Sequence, residues 1–255
     1  MASLLKTGII VLAVIAGTKR CLAVEGEAVI QTSAEKVVEE VSDSVQDSSP
    51  VKNDFEKFWE KNNRAWRQRT TDTTYIECSG FRLDHINTSG VVLSTSALDH
   101  RGKVDFDYPF FWEFRKKNSL FSDRYYGRFV KYLELMNRDE TCAVTKDYPW
   151  HTNYERGKEG YEKLSEEEKQ KCKGASMDNL FDVDKLACEF LLIGDNTYIA
   201  RGNVYYDLLV SDGTTGDKPV DCESTYETKR KEPTQAQRPN YEPYTEKCKT
   251  ASAIV

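Results

Sequence analysis

The stretch CEFLLIGDNTYIARGNVYYDLLVSDGTTGDKPVDC, residues 188 to 222, decides how the chain is read. It reads as two β-favouring runs joined by a Gly-Asp turn, with a cysteine at each end. The second run carries one carboxylate, Asp207, among Tyr205, Tyr206, Leu208 and Leu209. Either Asp207 faces solvent, where it needs no explanation, or it points into a core and has a task.

Upstream, the same alternation recurs. TTYIECSGFRL places Tyr75, Glu77, Ser79 and Phe81 on one face, and GVVLSTSALDH follows it. VDFDYPFFWEF sets Val104, Phe106, Tyr108, Phe110, Trp112 and Phe114 against Asp105, Asp107, Pro109, Phe111 and Glu113. Pro109 predicts an edge, a bulge or a break in that strand. DRYYGRFVKYLELMN reads as one strand or as two short ones parted at Gly127, and TCAVTK continues the pattern. Residues 147 to 180 interrupt it with KEGYEKLSEEEKQKCKG, a charged, helix-favouring insertion with a solvated face. Ahead of the strands, Phe55, Phe58, Trp59, Asn62 and Trp66 recur at helical spacing behind Asn53 or Asp54, which predicts a short amphipathic helix whose aromatic stripe packs a core. A late helix is expected after Cys222, stopped by Pro233. Many antiparallel strands joined by turns indicate a sandwich or an up-and-down barrel.

The ends read differently. Thr7 to Gly17 is an apolar run too short to span a bilayer. With Lys6 before it and small residues at Cys21 to Ala23, residues 1–23 read as a secretory signal. Residues 24–52 are acidic, Ser-rich and without aromatics, the composition of a flexible leader. The ordered domain is expected over 53–250. Six cysteines then remain, at 78, 142, 172, 188, 222 and 248. An even count in a secreted chain predicts three disulfides, with the connectivity left open. Asn87-Thr88-Ser89 is a candidate glycosylation site. A net charge of -6 argues against nucleic acid as a partner, and no second hydrophobic run argues for a membrane. The three histidines lack metal-ligand spacing, and no nucleotide, hydrolase or zinc-protease motif appears, so no enzyme activity, metal or cofactor is expected.

The order Cys188-Glu189-Phe190, sixteen residues, Asp207-Leu208-Leu209, twelve residues, Cys222 resembles the amine-binding motif of tick salivary lipocalins, the histamine-binding-protein family. AWRQRTTDTTYIEC resembles that family's first strand and following cysteine, and Cys248 its cysteine near the chain end. Glu189 stands where the family has Asp, Asp207 where it has Glu, and Leu209 where it has an aromatic residue. The resemblance implies an eight-stranded antiparallel barrel with a short N-terminal and a C-terminal helix. It also implies the pairs Cys78–Cys248 and Cys188–Cys222, which leave Cys142–Cys172. The function it implies is that of a secreted, monomeric scavenger that holds a host mediator in the barrel without chemistry, a biogenic amine such as histamine or serotonin.

An ammonium entering such a barrel needs carboxylates and aromatic faces in place of water. The candidates are Asp207, Glu189, Glu113 and Asp107 for charge, and Tyr205, Trp112, Tyr132 and Trp66 for aromatic walls. Alternation forbids Trp112 and Glu113 from facing the same side. Arg201, on the strand face of Asp207, with Arg128 and Lys131, supports a rival ligand, an anionic lipid mediator such as a leukotriene. A third reading leaves the interior packed and uses the outer surface to inhibit a host protein.

Overall fold

The computed structural model describes residues 51–98, 102–176, 178–194, 196–214, 219–232, 239–245 and 247–248. The expected signal and all but the last two residues of the expected leader lie outside them. The chain opens on helix α1 (Asp54–Lys61) and seven strands follow: β1 (Arg64–Thr70), β2 (Gly80–Asn87), β3 (Gly90–Leu98), β4 (Val104–Arg115), β5 (Ser119–Arg124), β6 (Gly127–Met136) and β7 (Cys142–His151). Each strand pairs antiparallel with the next, and the late strand β11 (Tyr205–Ser211) inserts between β1 and β7. The eight strands β1–β7 and β11 thereby close a mainly β, antiparallel, lipocalin-like barrel, which has no free edge.

The expected insertion, 147–180, proves longer: between β7 and β11 the chain forms α2 (Tyr154–Glu162), α3 (Glu166–Cys172), β8 (Lys173–Ala175), α4 (Val183–Ala187), β9 (Phe190–Ile193) and β10 (Thr197–Arg201), so that β9 and β10, expected in the barrel, belong to the insertion. Strand β10 pairs with the last residues of β7, β9 with β10, and β8 with β9, so the insertion is a short sheet grafted onto the barrel wall. It covers Phe121, Val130 and Trp150 on the outer face. Helix α2 lies so close to β10 that a Cβ on Gly157 would stand 3.1 Å from the Tyr198 carbonyl. Helix α5 (Val220–Arg230) covers the outer face of β7 and β11, where Val144, Tyr206, Leu208 and Val210 meet Cys222 and Tyr226.

Several expectations need correcting. Helix α1 stops at Asn62, and Trp66 belongs to β1, because the Asn62 amide turns back to the Phe58 carbonyl (2.7 Å) and across to that of Glu140 (2.7 Å). Strand β7 runs on to His151, five residues into the segment assigned to the insertion, because its second half pairs with β6 and β10. The opening stretch holds three strands, with Arg201 on β10 and Asp207 on β11. Of the cysteine pairs, Cys78–Cys248 forms, but Cys188–Cys222 and Cys142–Cys172 do not; the bonds are Cys142–Cys222 and Cys172–Cys188. Helix α5 lies along β7, which brings Cys222 over Cys142 with Cα atoms 6.4 Å apart. Cys172 and Cys188 end α3 and α4 side by side, 5.9 Å apart. Pro109 does mark a bulge: Ser94 faces Pro109 and Thr95 faces Asp107, leaving Tyr108 as the extra residue at φ +61.

Candidate functional site

The two ends of the barrel differ. At one, α1 lies across the opening. The Asn53 side chain caps it by accepting from Phe55 N (2.9 Å) and donates to the carbonyls of Lys116 (2.6 Å), Arg115 and Ser119 (both 3.2 Å) at the β4–β5 turn. Phe55, Phe58 and Trp59 then enter the lumen and pack on Phe81, Leu93, Trp112, Leu120 and Leu209. The lower half of the barrel is therefore filled by the protein itself.

Above this apolar floor lies a layer of buried charge. Alternation on β11 turns Tyr205, Asp207 and Leu209 inward and Tyr206, Leu208 and Val210 outward. Asp207 is fully buried. Its Oδ1 accepts from Thr70 Oγ1 (2.6 Å), and its Oδ2 lies 2.9 Å from Arg67 Nε and 3.9 Å from Lys131 Nζ. Beside it, Asp147 Oδ1 is in close contact with Lys131 Nζ, and Asp147 Oδ2 accepts from Thr145 Oγ1 (3.0 Å). Two carboxylates thus face two cations, and the layer is neutral as it stands. Burial works against the Arg67 charge, but Asp207, with Tyr205, Asp147 and Asp72, outweighs it and holds the guanidinium above its ordinary pKa. Burial pushes Asp147 up against the pull of Lys131, and pushes the Tyr205 phenol well above its usual range.

The far end is open. A cavity of about 510 Å³ is lined there by Arg67, Phe81, Thr95, Ala97, Arg124 and Tyr126, within the size range of small-ligand sites. Arg124 crosses its wall. The guanidinium carbon lies 3.6 Å from the Phe110 ring centre, 4.5 Å from Phe129 and 5.0 Å from Trp112. Its nitrogens donate to Tyr126 Oη (2.9 Å) and Ser122 Oγ (3.3 Å), and among the described residues it has no carboxylate partner. An adjoining hollow of about 670 Å³, which shares Asp72, Thr74 and Tyr126, runs under the insertion past Glu189, His151, Arg156 and Arg201. Exposed Ile76, Tyr108, Tyr125 and Tyr126 stand around this end.

The sequence-predicted residues therefore scatter. Asp207, Tyr205 and Trp112 face the lumen. Glu113 lies on the opposite face from Trp112 and pairs with Arg115 (2.7 Å). Glu189 is exposed, off the barrel strands, and lines the adjoining hollow together with inward-facing Phe129 and Tyr205. Trp66 faces outward against Tyr244 and the Cys78–Cys248 bond. Tyr132 also faces outward, beneath the insertion, where it donates to the Phe181 carbonyl (3.1 Å). Asp107 stands opposite Thr95 on β4, and its side chain lies outside those described. Asn87 is exposed at the β2–β3 turn, where its Oδ1 accepts from Ser89 and Gly90.

Sequence reading missed Arg67, Asp147 and Arg124, and missed that Lys131 is spent on a carboxylate. The signals were present: Lys131 alternates with inward Phe129 and Leu133, and Asp147 with inward Thr145 and Ala143. Ending β7 at Lys146 hid the second. Among the described residues no cluster of His, Cys, Asp or Glu has the makings of a metal site, and no helix is long and apolar enough to cross a membrane. Compared with known proteins, the chain matches no protein-family model and no curated protein sequence.

Proposed function

We propose that this barrel sequesters a small amphipathic anion at its open end, with the anionic group on Arg124 and the apolar body against Phe81, Ala97 and Tyr126, and that no chemistry follows. The observation that carries the reading is Arg124: a half-buried guanidinium, backed by three aromatic rings and without a carboxylate partner among the described residues, on a 510 Å³ cavity. A carboxylate ligand would supply the missing counter-charge and gain a charge-assisted bond. The amine reading is weaker because Asp207, its intended anchor, already takes the Thr70 hydroxyl on Oδ1 and has the Arg67 and Lys131 charges within 4 Å of Oδ2, although Oδ2 accepts no hydrogen bond from either. Three disulfides and the N-terminal apolar run support secretion. On the resemblance to salivary lipocalins, the ligand is a host mediator derived from a fatty acid, such as a leukotriene.

The test is calorimetry of the mature chain against a long-chain fatty acid, its methyl ester, leukotriene, histamine and serotonin. The expected result is heat with the acids, an Arg124→Gln loss of about 10–100-fold for the acid and little change for the ester. Heat only from the amines returns the first reading. No heat from any of them leaves the outer-surface inhibitor.

A further inference from the structure

The charged layer contains a place for a guest that the chain fills itself. Lys131 Nζ touches the Asp147 carboxylate, lies 3.9 Å from that of Asp207 and 3.5 Å from Thr145 Oγ1, and stands 5.4 Å and 5.8 Å from the ring centres of Phe81 and Trp112. Two carboxylates, a hydroxyl and two aromatic faces around one ammonium are the full set a desolvated alkylammonium needs in place of water. The side chain is only 4% exposed, so little solvent shares the task. A lysine side chain beyond its Cβ is an n-propylammonium on a tether.

We infer that Lys131 is a built-in occupant of a primary-ammonium site, and that by filling it the chain sets the sign of charge its barrel admits. Free amines are refused because the tethered ammonium is already there at an effective concentration no dilute ligand matches. Lys131 and Arg67 face the two carboxylates of the layer, and Arg124 stands at the mouth without a carboxylate ion-pair partner among the described residues, in a cavity that Asp72 and Asp105 also line. The inference depends on the interior geometry alone and stands whichever molecule occupies the mouth.

Removing the occupant should therefore create an amine receptor. Lys131→Ala deletes the atoms of one n-propylammonium and leaves their place. Thermal melts of the wild type, Lys131→Ala and Lys131→Met are compared with n-propylammonium, with n-propanol as the uncharged isostere and with tetramethylammonium as a cation too bulky to donate. The expected result is that Lys131→Ala alone responds, to n-propylammonium alone, with Tm rising by about 3–6 °C at ten times Kd. Lys131→Met fills the same space without charge and should ignore all three. A Lys131→Ala chain that folds only when n-propylammonium is added reads the same way. The inference is overturned if folded Lys131→Ala ignores n-propylammonium, if it responds equally to n-propanol, or if the wild type responds as strongly. It is also overturned if Lys131→Ala stays unfolded in saturating n-propylammonium.

Discussion

Asp207 sits where an error in charge is expensive. Its carboxylate is out of contact with water, and the alternatives to its present partners are apolar. Removing a single member of such a layer leaves the others uncompensated, whereas removing a pair together leaves a neutral, packable site. Asp207→Asn should therefore destabilise the fold by about 3–5 kcal/mol, since Arg67 would keep only Asp72, 4.0 Å away, and Lys131 only Asp147. The double change Arg67→Met with Asp207→Leu should lose less than the single one. Urea unfolding of the wild type, Asp207→Asn and the double variant reads both numbers, and a double variant worse than Asp207→Asn would contradict the neutral-layer account. Thr70 belongs to the same arithmetic: the bulge between Arg67 and Arg69 shifts the register of β1 so that both Arg67 and Thr70 reach Asp207 while Arg69 turns outward.

At the scale of elements, that outward Arg69 explains how α5 is held. Its guanidinium reaches Glu223 (2.8 Å) and Glu227 (2.9 Å) on the helix, and Glu227 also takes Arg230 (2.7 Å) and Lys231 (3.2 Å). The Arg230 hydrogen bond is the chief reason that the Glu227 carboxyl titrates below its ordinary value of 4.5. A depressed carboxylate contributes stability that is complete above the unfolded pKa and is lost as pH falls through the folded one. The wild type should lose this share on acidification from about pH 4.5 downward, while Glu227→Gln lacks it already at pH 7, by about 1 kcal/mol for a partly exposed network, and shows a shallower acid limb. Denaturant midpoints at pH 7, 5 and 3 check this; parallel curves would refute it. Elements were the most legible part of the sequence. The Phe55, Phe58, Trp59 stripe announced itself because one face of α1 is buried, and in β4 the alternation is plain, with Trp112 buried beside exposed Phe111. Strand β11 resisted, since the lumen buries one face and α5 the other, which erases the alternation that would have shown which way Asp207 points. Trp66 misled for a related reason: it sits at a position that local pattern favours, and only the closure of the barrel decides that it faces outward.

For the whole molecule, cysteine order was a poor guide because pairing follows which elements stack, and the stacking partners of α5 and α3 are set by the closed sheet. In the resulting pattern each bond has a separate mechanical task. Cys78–Cys248 ties the C-terminal segment to the barrel near Trp66, Cys142–Cys222 rivets α5 to β7, and Cys172–Cys188 closes a loop inside the insertion. Sequence separations of 170, 80 and 16 rank their restraint on the unfolded chain, roughly 5, 4.5 and 3 kcal/mol in the chain-entropy model. Opening Cys172–Cys188 with two serines should therefore cost the least and loosen the insertion, with the eight-stranded barrel still closed by β1, β7 and β11. Opening Cys142–Cys222 should cost about 1–2 kcal/mol more, because α5 loses both its rivet and the packing of Tyr226 on the outer wall. Peptide mapping without reduction identifies the three bonds directly, and urea midpoints of the two double-serine variants rank them. A mapped Cys188–Cys222 bond, or an insertion variant that unfolds the barrel first, would mean that the insertion sheet and α5 are not placed as described.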